Sequence, residues 1–214
     1  MKRNQSGFTL IEIAIVLVII GLLLGGVLKG QELINSAKVK NLATDFKNVP
    51  VFIYGYQDKF RALPGDDAGA ISHVAATTNG NSSGLIDGKW NATSGETFDF
   101  WQHVRLAGLA PGPTNTAAAD YAPLNAVGGK IGVTNSNAAD SPITLPAPGL
   151  RGSYVVCSDS IPGKFAKQLD VTLDDGNTTT GSLQVTAQGT ASGGTAVAMA
   201  SIIDDTTYLV CMGF

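Results

Sequence analysis

Between Phe8 and Leu28 the chain carries one charged side chain, Glu12, in an otherwise uncharged and mostly apolar run. A run of about 20 such residues is the length a helix needs to cross the hydrocarbon core of a bilayer. In lipid every backbone N–H and C=O must be satisfied within the segment, so a lone span of this kind is helical. The residues before it, MKRNQSG, are basic and polar. A secretory signal has its small-residue cleavage site after a shorter apolar stretch. Here the small pair Ser6-Gly7 lies before the run. Lys2 and Arg3 hold the amino-terminal end in the cytoplasm, with Lys29 on the other flank, and the rest of the chain then lies across the membrane. Charge and length alone fit a signal anchor that is never cut. Glu12 does not fit so simply. An acidic side chain at the centre of a span costs roughly 2.5–3.5 kcal/mol, and less near its end, so something must neutralise the carboxylate or use it.

Gly7-Phe8-Thr9-Leu10-Ile11-Glu12, behind a short basic leader and ahead of an apolar span, resembles the amino-terminal signature of type IV pilins and type II secretion pseudopilins. The resemblance implies cleavage by a prepilin peptidase between Gly7 and Phe8 and N-methylation of the new terminus at Phe8. Glu12 becomes the fifth residue of the mature chain. The resemblance further implies a register device: in a filament the Glu12 carboxylate of one subunit pairs with the Phe8 amine of a neighbour. A buried charge is tolerable when paired and costly when alone, so a subunit in the wrong axial register is disfavoured. The match is specific over residues 1 to about 35. Many pilins carry a proline within the span. This chain has Gly21, Gly25, Gly26 and Gly30 instead, which permit close helix packing or local melting on assembly.

Beyond the span the helical period continues. Val39, Leu42, Phe46, Val49, Ile53, Tyr56 and Phe60 step alternately by three and four, which is one face of a helix. The spacing predicts a single helix from about Phe8 to Arg61, kinked near Pro50 and stopped at Ala62-Leu63-Pro64-Gly65-Asp66-Asp67. The aromatic group Phe46, Phe52, Tyr54, Tyr56 and Phe60 reads as core packing and subunit contact. Residues 96–109 predict a short amphipathic helix with Phe98, Trp101, Val104 and Leu109 inward. Strands are predicted at 130–134, 153–158, 182–187 and 206–212, and a short helix at 161–169. The expected fold is α+β and pilin-like: a long amino-terminal helix, its first half spanning the membrane, packed on an antiparallel β-sheet head. The expected divisions are a leader at 1–7, a transmembrane and filament-core half at 8–28, a second half of the helix at 29–61 and an extracytoplasmic head at 62–214.

Cys157 and Cys211 fall in two predicted strands of that head, in a compartment where disulfides persist. The resemblance implies a carboxy-terminal disulfide between them; two free buried thiols are the alternative. Metal ligation has thin support. Asn79 to Asp87 resembles a calcium loop, but Asn and Ser stand where carboxylates belong and Trp90 holds the twelfth position, where a Glu is expected. The acidic pairs Asp66-Asp67, Asp174-Asp175 and Asp204-Asp205 are other candidates. The two histidines, His73 and His103, sit in no nucleophile or zinc motif. Phosphate loops, dinucleotide fingerprints and HExxH motifs are missing from the sequence. The expectation is therefore no catalytic residues, no cofactor and no metal.

A formal charge of −3 with no basic run beyond the leader gives no indication of nucleic acid as a partner. The expected function is a structural prepilin that assembles into a type IV pilus. Its partners are copies of itself, the prepilin peptidase, the pilus or secretion assembly machinery and the inner membrane. The precursor sits in the inner membrane with its head in the periplasm, and the assembled filament is extracellular. The alternatives are a type II secretion pseudopilin and a minor adhesive subunit at a pilus tip.

Overall fold

The computed structural model describes residues 9–214. The chain divides into two compact units, Met1–Lys38 and Val39–Phe214. One helix, α1 (Leu10–Phe60), contributes to both. Its 51 residues correspond to about 77 Å at 1.5 Å per residue. In the first unit every described residue up to Lys29 is exposed, including Leu10, Ile11, Leu22, Leu23, Leu24 and Leu28. By length and composition this helix can cross a membrane.

The character of α1 changes at Val39. From there Val39, Leu42, Ala43, Phe46, Val49, Ile53 and Tyr56 are buried on one face. Phe60, the last step of the expected stripe, is half-buried, and Tyr54 is exposed. The helix runs on past Pro50 to Phe60, giving up the one hydrogen bond that proline cannot donate. It ends where Arg61 turns to φ 56°. The Arg61 N–H still reaches the Gln57 carbonyl at 2.8 Å. A residue in this left-handed conformation is a common helix terminator.

The second unit is built on a four-stranded antiparallel sheet. Its strands are β1 (Ile131–Asn135), β3 (Tyr154–Pro162), β6 (Thr207–Gly213) and β4 (Leu183–Ala187), in the spatial order β1-β3-β6-β4. One face joins the buried stripe of α1 in the main core: Val133, Val156, Val185 and Val210 share a cluster with Leu42, Phe46, Val49 and Ile53. The opposite face is also covered. Val155, Cys157, Leu209 and Cys211 cluster with Trp90, Ile143, Leu150 and Ala196. The cover on this side includes a short parallel pair, β2 (Ile143–Leu145) and β5 (Gly194–Thr195). Burial on both faces explains why β1 is buried at all five positions instead of at alternate ones.

Three α-helices, α2 (Ala70–Val74), α3 (Glu96–Leu106) and α4 (Gly163–Leu173), and a 3-10 turn at Met199–Ser201 complete the unit. The expected helix at 96–109 stops three residues early, and Leu109 N–H turns back to the Val104 carbonyl at 2.9 Å. Trp101 and Val104 point inward as expected, Phe98 and Leu109 are half-buried, and Phe100 is a further fully buried member. The expected helix at 161–169 is displaced. Ile161 and Pro162 belong to β3, and the helix runs from Gly163 to Leu173. Pro162, whose ring fixes φ near −55°, serves as the residue just before the first turn. A bulge between Ser158 and Ile161, with Ser160 at φ 58°, sets the strand's exit.

Candidate functional site

Thr9 and Glu12 form a capping box at the start of α1. The Thr9 N–H and hydroxyl both donate to Glu12 Oε2, at 2.8 and 2.7 Å, and the Glu12 N–H approaches Thr9 Oγ1 at 3.4 Å. This is the T-x-x-E arrangement that satisfies orphan donors at a helix N-terminus. Within a single chain, then, the carboxylate in the apolar run is already hydrogen-bonded. The signal for this was present at positions 9 and 12, but the family signature drew attention to Glu12 alone. Gly7 and Phe8, the expected cleavage and methylation positions, lie outside the described residues.

Along the same helix, Gly21 and Gly25 are four residues apart, as are Gly26 and Gly30. A Cβ built on any of the four meets no atom within 4 Å apart from the helix's own backbone. Nothing in the described residues therefore requires glycine there. Two small-xxx-small pairs on an exposed apolar helix are the pattern that lets helix backbones approach one another closely.

The stop after α1 is a compact polar knot. Tyr56 Oη donates to Asp67 Oδ2 at 2.8 Å, His73 Nδ1 lies 2.7 Å from the same oxygen, and the Gly69 N–H donates to Asp67 Oδ1 at 2.7 Å. Burial pushes the Asp67 carboxyl up, but the bonds from His73, Tyr56 and Gly69 outweigh it and hold it below its ordinary value. The neighbouring Asp66 carboxylate receives the N–H groups of Ser83 and Gly84, both at 2.8 Å. Gly65 sits at φ 92°, where a Cβ would strike the Glu96 carbonyl at 2.5 Å. Its N–H donates to His103 Nδ1 at 2.9 Å, and burial lowers the pKa of that histidine.

The 79–87 segment wraps around this knot. Asn79 Oδ1 accepts from the Ile71 N–H, and Glu96 accepts from the N–H groups of Asn81 and Asp87. Trp90, at the position a calcium-binding glutamate would hold, is buried and donates its indole N–H to the Thr190 carbonyl. Side-chain oxygens of Asn79, Asn81 and Asp87 in the loop that resembles a calcium site accept hydrogen bonds from the protein itself. His73 and His103 are brought to the same turn, each with a fold-stabilising partner.

Cys157 and Cys211 are directly opposite one another on β3 and β6 and are joined by a disulfide. Both are fully buried on the sheet face away from α1. The bridge closes a sequence separation of 54 residues, within which lie α4, β4 and β5.

A family model described as the prokaryotic N-terminal methylation motif matches residues 2–28. No curated protein and no solved structure matches the chain. The matched segment covers the basic stretch before Phe8, the GFTLIE hexapeptide and the apolar run. It implies processing by a prepilin peptidase and handling by a pilus or secretion assembly machinery, and with the apolar helix it fits a membrane-anchored precursor. Over residues 2–28 the chain therefore carries the type IV pilin-family signature.

Proposed function

We propose that this chain is a prepilin that is cut between Gly7 and Phe8, N-methylated at Phe8 and polymerised through α1 into a type IV pilus. The observation that carries the proposal is the methylation motif lying over the apolar first part of α1, whose described residues up to Lys29 are all exposed. Such a surface is at home in a bilayer before assembly and in a bundle of like helices afterwards. The paired glycines, with nothing against them in one chain, fit that bundle. On leaving lipid, Glu12 would exchange its bonds to Thr9 for the cationic Phe8 amine of a neighbour, which sets the axial register. Residues 1–7 are the leader, 8–28 the membrane and filament-core segment, 29–61 the part of the helix that joins the head, and 62–214 the head exposed on the filament.

The same motif fits a type II secretion pseudopilin, and the buried disulfide suits a periplasmic head as well as one outside the cell. Shearing cells and assaying filament and membrane fractions separates these readings. A major pilin is expected as the abundant chain of the sheared filaments. Recovery only from the membrane pellet would replace the pilin with a pseudopilin, and trace amounts within filaments made of another subunit would indicate a minor tip protein.

A further inference from the structure

At the carboxy-terminal end of α4, on the far side of the sequence from the pilin signature, three carboxylates converge. Asp170, Asp174 and Asp175 each place an oxygen within 4.8 Å of the others. Asp170 is completely buried, and neither of its carboxylate oxygens has a hydrogen-bond partner. A buried carboxylate without donors is costly unless something positive faces it. None of the ion pairs among the described residues involves these three side chains, whereas Asp204 and Asp205 face Lys167 and Lys164. The last turn of α4 has no basic residue, and a negative charge there also opposes the helix dipole.

The loop that follows is shaped around the cluster. Asp174 Oδ2 accepts the Leu183 N–H at 2.7 Å, which leaves Oδ1 available. Asp175 accepts from the Asn177 N–H and the Thr180 hydroxyl. Gly181, at φ 77°, lies so close that a Cβ there would collide with the Asp174 carboxylate. The donor set is all hard oxygen, with no nitrogen or sulfur, and one member, Asp175, is open to solvent. That combination suits calcium, which takes six to eight oxygen ligands in a flexible shell completed by carbonyls and water, better than zinc or the strict octahedron of magnesium.

We infer that Asp170, Asp174 and Asp175 form a calcium site that clamps the α4–β4 loop inside the disulfide-bounded part of the head. The site is read from the fold of the head and does not depend on filament assembly. The test is calorimetric titration of the full chain, purified in detergent and stripped with EDTA, with calcium chloride and separately with magnesium chloride, alongside thermal unfolding. Expected are saturable calcium binding with a Kd on the order of 10⁻⁴ to 10⁻³ M, as in extracellular modules, weaker magnesium binding, and a melting temperature raised by several degrees in calcium. Asp170→Asn and the exposed Asp175→Asn should each weaken binding at least about tenfold and remove the calcium-dependent rise, while Asp205→Asn keeps both. Asp175→Asn should melt like the parent in EDTA, so a loss of binding there is not a loss of fold. Absence of both binding heat and a melting shift up to about 10 mM calcium would overturn the assignment, as would calcium binding that survives both Asp170→Asn and Asp175→Asn.

Discussion

Asp67 shows how one carboxylate can tie a helix end to the structure that follows it. It takes the Tyr56 hydroxyl from α1, the Gly69 N–H from its own turn and His73 from α2. Its pKa is held below the ordinary value, so its contribution to stability is present above the unfolded-state value of about 3.9 and is lost as pH falls through the folded-state value. Asp67→Asn should therefore destabilise the head by about 1–3 kcal/mol at pH 7. Against the parent at pH 3 the difference should shrink markedly. Denaturant melts at the two pH values check this, and an equal deficit at both would show that the charge on Asp67 is irrelevant. The turn itself was legible in Leu63-Pro64-Gly65-Asp66-Asp67. The partners were not, because His73 and Tyr56 are distant in sequence from the bonds they make. Asp170 was less legible still. The pair Asp174-Asp175 reads as a turn, and only α4 extending to Leu173 brings a third carboxylate one helical turn back against it.

Among the elements, α1 was the most legible because a 3.6-residue period sustained over six steps has no competing interpretation. The four main strands were also visible as short β-branched runs between turn residues. The strands β2 and β5 were not, since three- and two-residue segments carry no period. Their cover of the second sheet face is what removes the alternation expected of a half-exposed sheet. The boundary between β3 and α4 was misread because Ile161-Pro162-Gly163 suits a helix start. The bulge at Ser160 carries the strand two residues farther.

The Cys157–Cys211 bridge links the two central strands of this sheet across adjacent positions. In the chain-entropy account a loop of this length contributes about 4 kcal/mol. The double variant Cys157→Ser, Cys211→Ser should lose a large part of that, seen as a lower denaturant midpoint with a similar slope. An unchanged midpoint would mean that the sheet and its two cores hold the carboxy-terminal strand without the bond.

At the scale of the whole molecule, two units with opposite surface logic share one helix. Among the described residues, the first exposes its large apolar side chains, and the second buries apolar side chains on both faces of a sheet. The exposed apolar unit follows from the sequence with little ambiguity, because composition and length alone demand an apolar environment. In the proposed filament the same helix of neighbouring subunits takes the place of the bilayer around this apolar surface. The claim requires that the leader be removed and the new terminus be modified. It is tested most directly by the intact mass and amino-terminal peptide of the chain recovered from cells that express a prepilin peptidase. The expected result is a chain beginning at Phe8 and carrying one added methyl group on its amine. A chain still beginning at Met1 in those cells would contradict it and would leave Glu12 with no role beyond its bonds to Thr9.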